Sequence, residues 1–289
     1  MSIIEIEALK KYYGKARGVE DVSLSVEEGE FFGFIGPNGA GKSTTIRSML
    51  GLIRPDSGSV RLFGMDVQSD REKILRRIGY VPSENAFYPD MRVSEVLKLS
   101  AKLRGGDYTA EAERLCHELQ LDAGKKAAEL SYGNRKKLSV ICALQHKPEL
   151  LILDEPTGGL DPLMQKAFFK ILRELNDSGT TVFLSSHVLS EIQHNCKNTA
   201  VIKDGRVIAC GSTESLGQGN VKKVSYTGSL DLSSLEGVKN LLEAESGGSF
   251  FYNGEAGALI SALNNGKITD FSVNEPELEE IFLHYYEEA

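Results

Sequence analysis

No stretch of this chain approaches the ~18 consecutive apolar residues that a membrane span requires. A secretory leader is not expected either, because Ile3 to Leu9 alternates with Glu5 and Glu7 in place of a basic segment and an apolar core. Cysteines are few and scattered: Cys116, Cys142, Cys196 and Cys210 form no C-x-x-C pair. That spacing argues against zinc ligands and disulfides and for reduced, mostly buried thiols of a cytosolic protein. Arginine is absent from Asn220 to Ala289, where four lysines face twelve carboxylates, 4 − 12 = −8. The whole chain carries −8, so the preceding residues are neutral in sum. An acidic tail on a neutral body argues against general binding to nucleic acid, whose backbone selects basic faces. Internal repeats and low-complexity tracts are also missing.

What is present is concentrated in two short runs. Gly36 to Ser43 read G-P-N-G-A-G-K-S, and Leu150 to Thr157 read L-L-I-L-D-E-P-T. In the first, glycines let backbone N–H groups turn toward an anion, Lys42 reaches outer phosphates, and Ser43 is a candidate Mg²⁺ ligand. Phe31 to Ile35 before it reads as a buried strand and Lys42 to Leu50 as a helix, whose N-terminus adds partial positive charge. In the second run Asp154 ends an apolar strand, placed to hold Mg²⁺ through water. Glu155 follows, placed to orient or deprotonate an attacking water. His187 ends another strand, Thr181 to Ser185, at the sheet edge where open α/β folds bind ligands, and is a candidate γ-phosphate contact.

With 289 residues and 41% apolar composition, one large and one small domain are expected. Further strands are expected at Ile3 to Ala8, Val22 to Val26, Ser59 to Leu62, Ile78 to Val81, Thr199 to Lys203 and Arg206 to Cys210. Helices are expected at Pro162 to Asp177 and Val188 to Asn195. The alternation indicates an α/β sheet, largely parallel in its core. Val93 to Lys147 shows only helical spacing, so a helical subdomain at about 86–148 interrupts the sheet. Within it, Ser131 is a candidate N-cap, and the amides behind it form a second candidate anion site. Tight turns are expected near Gly18, Glu28-Gly29 and Asp204-Gly205. Gly211 to Asn220 reads as a linker. Beyond it a small α+β domain is expected, with strands at Lys222 to Thr227, Ser249 to Tyr252 and Lys267 to Val273 and a helix at Glu255 to Leu263. An amphipathic helix should open at Pro276 and carry Leu278, Ile281, Phe282 and Tyr285 on one face.

Together these residues resemble the nucleotide-binding subunit of an ABC transporter over nearly the whole of residues 1–218. Gly36, Pro37, Asn38, Gly39, Ala40, Gly41, Lys42, Ser43 and Thr44 match its Walker A motif, and Leu150 to Glu155 match Walker B. Leu130 to Asn134 fall at its L-S-G-G-Q signature, Gly159-Leu160-Asp161 at its D-loop and His187 at its switch histidine. Tyr13 falls where the family stacks an aromatic ring on adenine, with Tyr12 beside it as an alternative. The resemblance implies a P-loop NTPase cassette with an antiparallel β subdomain, an inserted helical subdomain and residues 219–289 as an accessory domain. It implies ATP and Mg²⁺ as cofactors and ATP hydrolysis coupled to transport, with Lys42, Glu155 and His187 catalytic. A second cassette, identical or homologous, would close head to tail through Ser131, Gly133 and Asp161. The ending Val273 to Leu283 resembles P-S-L-E-D-V-F-L of drug, antibiotic and polysaccharide exporters. Those work with a separate permease of about six spans, which implies a cytoplasmic subunit held at the inner face of the membrane.

Two positions depart from the family pattern. Gly79-Tyr80-Val81-Pro82 is followed by Ser83 and Glu84 where the family has a glutamine, so Ser83 becomes the candidate at the metal and Glu84 its rival. The signature has Tyr132 for its first glycine and Asn134 for glutamine. These departures keep a weakly hydrolysing, ATP-gated regulatory subunit as an alternative, beside a soluble ABC ATPase outside transport.

Overall fold

A computed structural model describes residues 2–217, 222–233, 235–244 and 246–274. The chain divides into two compact units, Met1–Thr213 and Glu214–Ala289.

The first unit opens with two long strands, β1 (Ser2–Tyr13) and β2 (Ala16–Glu27), paired antiparallel. Then come β3 (Phe31–Ile35), α1 (Lys42–Met49), β4 (Ser57–Leu62), β5 (Met65–Asp66), α2 (Arg71–Arg76) and β6 (Ile78–Val81). Three helices follow, α3 (Val93–Leu103), α4 (Thr109–Glu118) and α5 (Tyr132–Leu144), with a 3₁₀ turn at Ala127–Glu129. The chain returns through β7 (Leu150–Asp154), α6 (Pro162–Asp177), β8 (Thr181–Ser186), α7 (Leu189–Asn195), β9 (Asn198–Lys203) and β10 (Arg206–Ser212). The short α8 (Thr213–Gly217) begins at the last residue of this unit and belongs mostly to the second. Among the described residues the sheet has ten strands in the order β5-β4-β1-β2-β10-β9-β3-β8-β7-β6. From β9 to β6 every pairing is parallel, whereas β1, β2, β4 and β5 pair antiparallel. The expected mixture of parallel core, antiparallel arm and helical insertion is present.

The parallel strands form for a simple reason. β3, β7 and β8 are buried at every position, so each carries a continuous apolar stretch, Phe31 to Ile35 (with Gly33), Leu150 to Leu153 and Val182 to Leu184. Phe183 stacks on Phe32 at 5.9 Å and lies against Phe34 at 5.4 Å, pinning β8 to β3. Because β3, β6, β7 and β8 run the same way, the segments that leave them emerge at one edge. These are the phosphate loop, Pro82-Ser83, Asp154-Glu155 and Ser186-His187. α6 is set by Asp161, whose carboxylate accepts from the amides of Leu163 and Met164, both at 3.0 Å, with Pro162 in the first helical turn.

The second unit has β11 (Lys222–Ser229), β12 (Val238–Ala244), β13 (Gly247–Tyr252), α9 (Ala256–Asn265) and β14 (Lys267–Asn274). The strands pair antiparallel in the order β12-β13-β11-β14 over a core of Val224, Tyr226, Phe250, Tyr252, Leu259 and Leu263.

Several expectations need correction. Gly18 lies inside β2, and the turn is at Gly14-Lys15. Gly18 is required by crowding, since a Cβ there would sit 2.9 Å from the Lys11 carbonyl and from the Tyr13 ring. The expected linker begins as structure: Gly211 and Ser212 continue β10, and the amide of Thr213 donates to Lys197. β12 was not expected, because a register shift between Lys239 and Leu242, with Asn240 at φ 49°, breaks its period of two. Cys210 is exposed, while Cys116 and Cys196 are buried; all four thiols are free. Burial pushes the Cys142 thiol up to about 12, so it carries no thiolate chemistry. The helix expected from Pro276 lies outside the described residues.

Candidate functional site

The phosphate loop leaves β3 under tight constraint. A Cβ on Gly36 would lie 2.4 Å from the carbonyl oxygen of Ile202, so only glycine lets the chain pass β9. Gly39 (φ 81°) and Gly41 (φ 113°) occupy the left-handed region that side chains disfavour. Gly41 precedes α1, and no side chain caps that helix, which leaves its first turn turned toward the loop's interior. Lys42 is buried at 5% exposure. Its ammonium donates to the carbonyls of Gly36 at 2.6 Å and Pro37 at 3.1 Å and pairs with Glu155 Oε1 at 3.2 Å.

The acidic run meets this loop from the next strands. Asp154 is 1% exposed at the end of β7. The Ser185 hydroxyl donates to its Oδ1 at 3.4 Å. Its Oδ2 is buried without a partner. Burial holds the Asp154 carboxyl above the usual carboxylate range; Ser43 opposes this, and the neighbouring charge of Glu155 adds to it. Glu155 turns sharply, at φ 49°, while its amide donates to the Ser185 carbonyl at 3.0 Å. The turn sends its side chain back across the sheet edge, where Oε2 lies 3.2 Å from His187 Nδ1. Lys42, Glu155 and His187 thus form one connected line above Asp154.

Tyr13 approaches the same loop. Its ring edge and the Thr44 methyl both close on Gly18, 2.9 and 3.0 Å from where a Cβ would sit. Tyr12 is tied elsewhere, its amide donating to Asp56 at 2.6 Å. Of the two tyrosines, Tyr13 is the one beside the phosphate loop.

A protein-family model described as ABC transporter matches residues 19–158. The bacitracin transport ATP-binding protein BcrA of Bacillus licheniformis is 39% identical, over 72% of this chain and 69% of that protein. The chain belongs to the ABC transporter ATP-binding family. The daunorubicin/doxorubicin resistance ATP-binding protein DrrA of Streptomyces peucetius is 33% identical over 97% of this chain and 91% of its own length. A solved structure of the ATP-binding subunit of an ABC transporter superposes with a TM-score of 0.69 at 33% identity, over 74% of this chain and 91% of that one.

At the position of the ABC signature, Ser131 caps α5, its hydroxyl accepting from the amide of Asn134 at 3.3 Å. Tyr132 follows, and its ring lies on the D-loop. A Cβ on Gly159 would sit 2.3 and 2.5 Å from two ring carbons, and one on Gly158 would sit 3.7 Å from the phenol oxygen. A Cβ on Gly133 would be 2.5 Å from the Gly159 carbonyl. The glycine pair supplies the room that Tyr132 takes. Asp161 spends its carboxylate on capping α6. Among the described residues, no hydrogen bond or ion pair joins Ser131, Gly133 or Asp161 to Lys42, Asp154, Glu155 or His187, so the candidates form two groups.

Gly159→Ala is accordingly expected to destabilise the cassette by about 2 kcal/mol, combining left-handed backbone strain with ring displacement. Adding Tyr132→Gly should recover the second part only. Thermal melts of both single variants and the double variant give the coupling, and additive effects would show that ring and glycine do not touch.

Reading the sequence missed three groups. Lys136 is wholly buried, and its ammonium donates to the carbonyls of Pro82 and Ser83, both at 3.0 Å. Both amide atoms of Asn85 are buried without a partner. Ser185 holds Asp154. For Lys136 a signal existed: it shares a helical stripe with Val140 and Ala143, both buried. Ser83 sits in the loop after β6, and Glu84 is exposed.

Proposed function

We propose that this chain hydrolyses ATP to drive an exporter. The observation that carries the reading is the Lys42–Glu155–His187 line across the sheet edge beside Asp154. Lys42 and the loop amides hold the β- and γ-phosphates, and His187 steadies the γ-phosphate. Glu155 orients a water and takes its proton as the water oxygen bonds to the γ-phosphorus. The bond from that phosphorus to the bridging oxygen breaks, and ADP leaves with the electron pair. Tyr13 stacks on adenine.

Mg²⁺ fits the oxygens present. Among the described residues no group of three or more His, Cys, Asp or Glu forms a cage. Ser43 and the unpartnered Oδ2 of Asp154 suit a cation that takes its other ligands from phosphate and water. When bound, Mg²⁺ neutralises charge on the transferring phosphate; Ser83 is the further candidate beside it.

In this reading residues 1–218 are the cassette and 219–289 its accessory domain, close to the division into compact units at Thr213. A second cassette, identical or homologous, closes on the nucleotide through Ser131, Gly133 and Asp161. The names of BcrA and DrrA, a bacitracin transporter and a drug-resistance protein, support export. No helix among the described residues is long and apolar enough to cross a membrane, and the path is assigned to a separate permease of about six spans. A groove of about 770 Å³ is the proposed contact, its lining including Leu75, Phe87 and Leu103 with Tyr88 71% exposed. The chain would sit on the cytoplasmic face.

The test is an affinity pull-down from detergent-solubilised native membranes with Glu155→Gln and Mg-ATP. Near-stoichiometric recovery of a multi-span protein is the expected result. Ribosomes or soluble partners alone would replace transport with a soluble ATPase role.

A further inference from the structure

Lys136 stands where a lysine is costly. It is 0% exposed, and among the described residues no carboxylate lies within ion-pair distance of its ammonium. A buried cation held only by two carbonyls is costly relative to a methionine of similar length. Burial holds the lysine below its usual basicity, and the charges of Asp154 and Glu155 partly counter that, so the ammonium stands in the field of the acidic pair. Its two acceptors belong to a segment with a defined position. β6 pairs parallel with β7, Val81 opposite Leu153, which sets Pro82 level with Asp154. Lys136 itself lies one helical turn after Tyr132, so it ties this segment to the helix that begins at Ser131. The loop it grips also holds the Asn85 amide, whose donor and acceptor are both unspent. A charge kept at a cost to stability, bridging two elements of a reaction centre, marks function in place of packing.

We propose that Lys136 is a positioning residue for ATP turnover, pinning the loop after β6 to α5 so that loop and signature turn answer bound nucleotide as one piece. The proposal rests on the ATPase reading above. Lys136 makes that connection from the helix, through the Pro82 and Ser83 carbonyls.

Hydrogen exchange with and without Mg-AMPPNP tests this on the full chain, for wild type, Lys136→Met and Lys136→Arg. In wild type, protection is expected at residues 36–44 and jointly at 82–91 and 131–137. Lys136→Met should keep the first and lose the joint response, with its melting temperature unchanged or raised. Its kcat should fall about 10–100-fold while KM for ATP stays within about threefold. Lys136→Arg should recover part of both signals. If Lys136→Met does not fold, Lys136→Gln drops the charge, keeps one amide donor and reads the same signals. Joint protection with kcat within about twofold of wild type would overturn the proposal, as would a wild type whose α5 ignores nucleotide. Absence of wild-type turnover would sink the ATPase reading by itself, and the exchange pattern would still decide on Lys136.

Discussion

Glu155→Gln is expected to lower ATP turnover by about 10²–10⁴-fold, the usual worth of a positioned general base, and to bind ATP more tightly than wild type. The second half follows from the Lys42 pair. The Glu155 carboxylate lies 3.2 Å from the Lys42 ammonium, so an incoming phosphate competes with it for that cation. Glutamine removes the competing charge and keeps the shape. Allowing for solvent around a carboxylate 29% exposed, the gain is about 1 kcal/mol, or roughly fivefold in Kd. The backbone at Glu155 is left-handed, and glutamine inherits that strain unchanged, so folding should not be affected. Equilibrium binding of a fluorescent ATP analogue and a phosphate-release assay check the two halves separately. Turnover within tenfold of wild type would remove Glu155 from the role of base, and weaker binding would show that the ion pair does not oppose nucleotide.

Asp154→Asn should raise the melting temperature without ligand and abolish the part of ATP stabilisation that depends on Mg²⁺. Burial raises the folded pKa of Asp154 above the unfolded value of 3.8. The folded protein therefore binds the proton more readily, and this group's contribution to stability falls as pH rises through the window above 3.8. At neutral pH the ionised carboxylate, with Oδ2 unpaired, is a cost of about 1–2 kcal/mol. Asparagine removes it and should gain a few degrees, at about 2–4 °C per kcal/mol for a domain of this size. The gain should shrink as pH falls toward 3.8, because the raised wild-type carboxyl takes up its proton above that value. Melts across pH with ATP, with and without Mg²⁺, give both readouts. A variant that melts below wild type and still responds to Mg²⁺ would contradict the assignment of Asp154 to the metal.

What could be read beforehand follows the range of the forces involved. β3 and β7 are apolar at nearly every position because both faces are covered, and β8 keeps Val182-Phe183-Leu184 for the same reason; such runs stand out locally. Gly39 and Gly41 of the phosphate loop were legible because a left-handed φ is a property of single residues. β12 was not, since the bulge at Asn240 scrambles the alternation that marks a strand. Gly18 looked like a turn because its need for glycine comes from Lys11, Tyr13 and Thr44, which reach it across the fold. Tyr132 looked like a defect in the signature, and the two glycines that receive its ring lie 26 and 27 residues further on. Lys136 was passed over because lysine reads as surface. That Tyr13 approaches Gly18 beside Thr44 needed the path of β1.

The seat that Gly158 and Gly159 make for Tyr132 also bears on the history open to this gene. A tyrosine could enter only on a chain that already lacked a side chain at 159, since the ring fills the place where a β-carbon would stand. Once it had entered, that glycine could no longer drift. The substitutions have a fixed order, glycine before tyrosine going in and tyrosine before glycine coming out. Descendants that keep Tyr132 should therefore keep Gly159.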